Sequence, residues 1–219
     1  MAYHLLPVPL SIAGIAWYLI ARNRNDLKRV AVIQPLLTLL SIAVAALSLL
    51  GPRANPAYTG WILAGLILAF AADIFNIDMT SDKTVMAALV IFVLAYLTYG
   101  IGLTVFSGFQ RQDLVSGLLL FLVYLALVRY LWPGLGSFRI PILIYGLIMP
   151  LMVNRAISTF FGSTFSTTQA ILLTAGTSML YLGDIEYGIH RFRRPIKYSV
   201  GPILYAGGQL LVALSCAYF

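Results

Sequence analysis

Two aspartates lie inside apolar stretches of this chain, and they are the residues best equipped to do chemistry. Asp73 sits in Ala71-Ala72-Asp73-Ile74-Phe75-Asn76, and Asp184 in Tyr181-Leu182-Gly183-Asp184-Ile185-Glu186. An ionisable side chain within a membrane is costly unless it faces a bundle interior or a wet cavity, so each asks for a reason. Helical spacing extends both into stripes. Thr174, Thr177, Tyr181 and Asp184 share one helix face, and Gly65, Ala69, Asp73 and Asn76 make a face that is first small and then polar. Two carboxylates in one dry pocket can share a proton, which suits general-acid catalysis followed by attack of water. An anionic partner would also stabilise a cationic intermediate. Glycosidases apply this logic to acetals; by analogy, the matching substrate in a membrane is an acid-labile ether on a lipid.

Further polar side chains fall at similar depth on other apolar stretches: Gln34, Tyr96, Tyr99, Tyr145, Tyr205 and Gln209. Their convergence is what a single intramembrane pocket looks like in sequence. Each has a plainer reading as interhelical hydrogen-bond glue, and an aspartate near a helix end can simply reach interfacial water. Glu186 and His190, four apart, are expected as a surface pair. Arg155 follows Asn154 and a helix kink expected at Pro150. It either snorkels outward or faces an outer cavity.

Several chemistries have no residues to carry them. The two histidines, His4 and His190, are expected near opposite membrane faces, so a three-histidine metal site is excluded. No G-x-S-x-G or H-E-x-x-H occurs. Ser178 has no histidine at matching depth, and no lysine lies in the core of an apolar stretch to form a Schiff base. The single cysteine, Cys216, excludes a disulfide framework or thiolate metal site and reads as a small apolar helix residue. Carboxylates, tyrosines and water remain, with neither metal nor cofactor expected.

The elements that must position these groups follow from composition. Of 219 residues, 61% are hydrophobic and 10% charged, against about 25% charged in a soluble domain; mean hydropathy is +0.93. No polar shell exists to cover such a chain in water. Eight apolar stretches are long enough to cross a bilayer: roughly 3–21, 30–50, 58–78, 84–106, 114–131, 139–160, 167–188 and 198–218. The expected fold is therefore all-α, a polytopic helical bundle of eight transmembrane helices forming a single domain over residues 1–219. Turn residues mark the breaks, among them Asn25, Gly51-Pro52, Gly108, Pro133-Gly134 and Arg194-Pro195. The first stretch lacks a basic leader and a small-residue cleavage site, and reads as a span and not as a signal peptide.

Basic residues set the expected orientation. The odd loops hold eleven: Arg22, Arg24, Lys28, Arg29, Lys83, Arg129, Arg139, Arg191, Arg193, Arg194 and Lys197; the even loops hold two, Arg53 and Arg111. Both termini are then outside the cytoplasm, in the inner membrane if the cell is bacterial. Both aspartates fall toward the cytoplasmic half. The net charge of +7 is confined to short loops, so no nucleic-acid partner is expected.

The chain resembles the YhhN family of eight-span membrane proteins. Gln34-Pro35-Leu36 is similar to the family's K-P-L, and Gly65 through Ala72-Asp73 to its G-x-x-F-S-x-x-G-D. Phe92 to Tyr99 resembles F-x-x-x-H-x-x-Y, and Pro141 with Tyr145, Met149 and Ala156 resembles the sixth-span pattern. Gly176 to Phe192, containing Gly183-Asp184, resembles S-D-x-x-L-A…F, and Tyr205-x-x-Gly208-Gln209-Leu210 resembles Y-Y-x-A-Q-x-L. Gln34 replaces the family's lysine and Tyr96 its histidine.

Characterised members of that family are lysoplasmalogenases. The resemblance implies hydrolysis of the vinyl ether bond of a lysophospholipid to a fatty aldehyde and a glycerophospho-base. Asp73 and Asp184 would be the catalytic pair, and Gln34, Asn76, Tyr96, Tyr99, Tyr145, Tyr181 and Gln209 would bind substrate. A second reading from a different class stays open: a non-catalytic lipid- or small-solute-binding protein, or a transporter, using the same pocket. No internal repeat is evident, and Pro150 and Pro202 are the prolines expected to interrupt spans. A pocket confined to one side favours hydrolysis; a cavity reaching both faces favours transport.

Overall fold

Residues 2–75 and 81–219 are described by the computed structural model, and their regular structure is entirely helical. After a 3-10 turn at Tyr3–Leu5, eight helices follow: α1 (Val8–Asn23), α2 (Leu27–Ser48), α3 (Pro56–Phe75), α4 (Asp82–Ser107), α5 (Gln112–Leu131), α6 (Arg139–Ser158), α7 (Thr167–Phe192) and α8 (Gly201–Leu214). Their limits have local causes. The side chains of Asp26, Ser81 and Ser166 accept hydrogen bonds from the first-turn N–H groups of Arg29, Thr84 and Gln169, capping α2, α4 and α7. Asn25 and Gly108, the turn residues after α1 and α4, adopt φ of 57° and 64°. Pro202 opens α8 instead of interrupting a span, since the first turn needs no N–H from it.

Six of the helical segments are long and apolar enough to cross a membrane: Tyr3–Asn23, Leu27–Ser48, Pro56–Phe75, Asp82–Ser107, Gln112–Gly134 and Gly136–Ser158. This is an integral membrane protein. α7 has the length, at 26 residues, but its Thr174–Thr177–Tyr181–Asp184 stripe makes it too polar to qualify. α8, at 14 residues, is too short. The two exceptions pack on each other, and polar character is tolerated there because protein covers it.

α2, α3, α4, α6, α7 and α8 form a ring in which each helix packs on the next and α8 returns to α2. α1 lies over the α2–α8 seam, and α5 lies outside against α6. α5 accordingly leaves Leu114, Leu118, Leu119, Leu122 and Leu125 exposed, a surface suited to lipid. Small residues permit the closest approaches. A Cβ on Gly176 would sit 2.8 Å from the carbonyl oxygen of Gly208, and one on Gly208 would sit 2.7 Å from that of Gly176, so α7 and α8 meet backbone to backbone. On α3, Gly65 leaves room for the Tyr99 ring, whose Cε1 occupies the space a Cβ would need.

Arg155 does not snorkel outward; of the two expected settings it takes the outer cavity, a groove it lines with Tyr96, Thr104 and Phe109. It is 7% exposed, its Nη1 lies 2.7 Å from Asp113 Oδ2, and its Nη2 donates to the hydroxyls of Ser107 and Ser158 and to the Gly108 carbonyl. Asn154 Nδ2 donates to the Asp113 carbonyl and to Ser116 Oγ. Arg155 and Asn154 thus pin α6 to the α4–α5 connection, at the end of the bundle away from both aspartates.

Candidate active site

The site is assembled from the helix halves nearest the basic loops. Gln34 and Thr38, one turn apart on α2, both face Asp73 near the end of α3. Gln34 Nε2 donates to Asp73 Oδ1 at 2.6 Å, Thr38 Oγ1 donates to Oδ2, and Tyr205 Oη on α8 donates to Oδ1 at 2.7 Å. Tyr18 on α1 completes a relay by donating to Gln34 Oε1 at 2.6 Å. Asp73 is 2% exposed. It is a buried carboxylate supplied with three donors from two neighbouring helices, and reaching interfacial water is not its role.

Asp184 has a different setting. It is half-buried and lines a cavity of about 160 Å³. Tyr96 Oη on α4 donates to Asp184 Oδ2 at 3.1 Å. Tyr145 on α6 stands beside both, with its ring centroid 5.8 Å from that of Tyr96 and its hydroxyl within reach of the Asp184 carboxylate. Gly183 brings α8 close: a Cβ there would lie 3.5 Å from the backbone nitrogen of Tyr205. Tyr205 therefore joins the two carboxylates, bonding Asp73 while lining the Asp184 cavity, and its ring meets Phe92 edge-on at 6.0 Å.

The cavity is two-sided in chemistry. Leu89 and Phe92 of α4, Leu127 and Leu131 of α5, and Ile142 and Met149 of α6 give an apolar wall. Opposite stand Tyr18, Gln34, Tyr181, Asp184 and Tyr205, with Arg22, Glu186 and His190 at the mouth. Of its lining residues, Phe92 and Met149 lie near the middle of their helices. Beyond them the bundle is filled by Leu66, Leu103 and Leu173, each 1% exposed or less. The cavity occupies one half of the bundle.

The expected substrate-binding residues divide accordingly. Gln34, Tyr145 and Tyr181 line the cavity, and Tyr96 touches it through Asp184. Tyr99 and Gln209 are 1% and 2% exposed and do not line it; Tyr99 is taken up by packing on Gly65. Asn76 lies outside the described residues. Glu186 and His190 do not pair with each other. Glu186 accepts from Ser199 Oγ and the Val200 N–H, and His190 Nδ1 accepts from the Ile196 N–H at 2.9 Å, so both fasten the α7–α8 connector. Thr38 and Tyr18 escape the sequence reading. The signal for Thr38 is its position one turn after Gln34; nothing in the sequence of α1 singles out Tyr18.

The YhhN family model matches residues 29–216, nearly the whole bundle apart from α1. The chain belongs to the YhhN family. No curated protein and no solved structure matches it. In this YhhN member, Gln34 and Tyr96 are hydrogen-bonding groups aimed at the two carboxylates. Gln34 reaches Asp73, and Tyr96 reaches Asp184.

Proposed function

We propose that this protein is a lysoplasmalogenase-like hydrolase of eight membrane spans, with both termini outside the cytoplasm, acting on the vinyl ether of a lysophospholipid. The observation that carries this reading is the pairing of unlike carboxylates at one amphipathic cavity: Asp184 faces the cavity, and Asp73 is buried beneath it in a shell of donors. In this reading α7 and α8 cross the membrane as a packed pair.

The geometry supports a division of labour between the two carboxylates. A carboxylate accepting from Gln34, Thr38 and Tyr205 is used as an acceptor. Asp73 then serves as the fixed negative charge that favours a cationic intermediate and orients Tyr205. Asp184 is the general acid, within reach of a ligand in the cavity. It delivers its proton to the β-carbon of the vinyl ether, forming a C–H bond and leaving an oxocarbenium ion at the α-carbon. Water adds there and returns a proton to Asp184. The hemiacetal breaks its C–O bond to release a fatty aldehyde and the glycerol hydroxyl of the glycerophospho-base. Water supplies every atom added, and no cofactor is consumed. The apolar wall of α4, α5 and α6 would hold the alkenyl chain, with Tyr145 and Tyr181 orienting substrate and water.

The test is substrate selectivity. Purified protein is offered 1-alkenyl, 1-alkyl and 1-acyl lysophosphoethanolamine of equal chain length. The proposal expects aldehyde from the alkenyl lipid alone. Fatty acid from the acyl lipid, or no product from any, counts against it.

A further inference from the structure

At the mouth of the cavity stands a cation that has no ion-pair partner among the described residues. Arg22, on the last turn of α1, lines the cavity and is half-buried, yet it makes no ion pair or hydrogen bond among the described residues. Arg29 pairs with Asp26 and Arg191 with Asp82, so neither of those acids serves Arg22. A guanidinium held partly out of water without a partner is costly, and its planar fork of donors matches a carboxylate or phosphate.

His190 faces the same space. Because its Nδ1 accepts the Ile196 N–H, the ring proton belongs on Nε2, which is thereby a donor. His190 and Tyr187 line the same cavity as Arg22. Glu186 is the anion at the mouth, and both its carboxylate oxygens are occupied by Ser199 and Val200. It leaves Arg22 unpaired, and its charge would lie toward the cationic end of a zwitterionic headgroup.

We infer that Arg22 and His190 form a phosphate subsite that anchors the phosphodiester of a lysolipid at the cavity mouth, with the hydrocarbon chain directed inward past Asp184. This deepens the hydrolase reading and rests on it for the identity of the lipid. Arg22 comes from α1, which the family match does not cover. The subsite is thus assembled between this first helix and the end of α7.

The experiment separates headgroup recognition from hydrolysis by using ligands that cannot be cleaved. Binding of a saturated 1-O-alkyl lysophosphoethanolamine and of the matching 1-O-alkylglycerol, which lacks phosphate, is measured on the full chain in nanodiscs for wild type, Arg22→Gln and Arg22→Lys. Losing a charge-assisted bidentate contact predicts that Arg22→Gln weakens the phospholipid about 10- to 100-fold. The alkylglycerol should stay within about twofold, and Arg22→Lys should recover part of the loss. Inorganic phosphate is the competing arm. Displacement of the phospholipid by millimolar phosphate in wild type but not in Arg22→Gln assigns the subsite to phosphate as such, and no displacement assigns it to the headgroup in its lipid. Equal weakening of both lipids, or unchanged phospholipid affinity in Arg22→Gln, overturns the proposal. If the alkenyl lipid yields no aldehyde while Arg22 still selects the phospholipid, the hydrolase reading fails and the subsite stands.

Discussion

Asp73 and Asp184 differ in what replacing them by asparagine should do to stability. Asp73 accepts from Gln34, Thr38 and Tyr205 while 2% exposed. Charge-assisted hydrogen bonds contribute about 1.5–3 kcal/mol and neutral ones about 0.5–1.5, so the amide forfeits about 1 kcal/mol at each contact and about 3 kcal/mol in all. The amide N–H takes the place of Oδ2, so the Thr38 hydroxyl must turn from donor to acceptor, while Gln34 and Tyr205 are left on a neutral carbonyl oxygen. For a chain of this size each kcal/mol shifts the midpoint by about 2–4 °C, giving a drop of about 6–12 °C for Asp73→Asn. Asp184 accepts from Tyr96 at 3.1 Å and faces the cavity, so Asp184→Asn should lose no more than about 4 °C. The molecule supplies its own reporter. Cys216 is the sole cysteine and is 0% exposed, so a thiol-reactive dye becomes fluorescent as the bundle opens on heating. Equal midpoints for the two variants would refute the division into a buried acceptor and a cavity-facing acid.

Three further outcomes follow from named contacts. Arg155→Met leaves Asp113 buried without its partner and should cost about 3–5 kcal/mol in dye-monitored unfolding, while adding Asp113→Asn should recover a large part. Gly176→Ala places a methyl 2.8 Å from the Gly208 carbonyl oxygen, so α7 and α8 must separate; a loss of about 1–3 kcal/mol is expected, where Gly60→Ala, facing open space, should show none. Tyr96→Phe removes the donor to Asp184 and, in the hydrolase reading, should slow aldehyde release about 10-fold with little change in unfolding midpoint.

Much of this architecture is legible in the sequence, for reasons that differ between elements. The apolar stretches and their turn residues place the helices within a few residues of where they lie, because caps and left-handed turns at Asn25 and Gly108 are local features. The meeting of Gln34, Asp73, Tyr96, Tyr145, Asp184 and Tyr205 is legible because polar groups at equal depth in a bundle must seek each other. What stays hidden depends on helix rotation. Thr38 reads as ordinary hydrogen-bond glue until α2 is turned so that Gln34 and Thr38 face Asp73 together. Spacing within one helix likewise suggests that Glu186 would meet His190, whereas the α7–α8 connector folds back and supplies closer partners to each. The contrast between the aspartates arises from their neighbours: α2 and Tyr205 of α8 enclose Asp73, whereas Asp184 lines the cavity. Arg155 finds Asp113 forty-two residues earlier, a separation no local pattern reveals.

The most direct test of vinyl ether hydrolysis at this carboxylate pair is aldehyde release from lysoplasmenylethanolamine and lysoplasmenylcholine by the purified, detergent-solubilised protein, beside Asp184→Asn with its unfolding midpoint checked. Release by the wild type that disappears in the folded variant is the predicted result. Undiminished release in Asp184→Asn, or none from folded wild type, would contradict it.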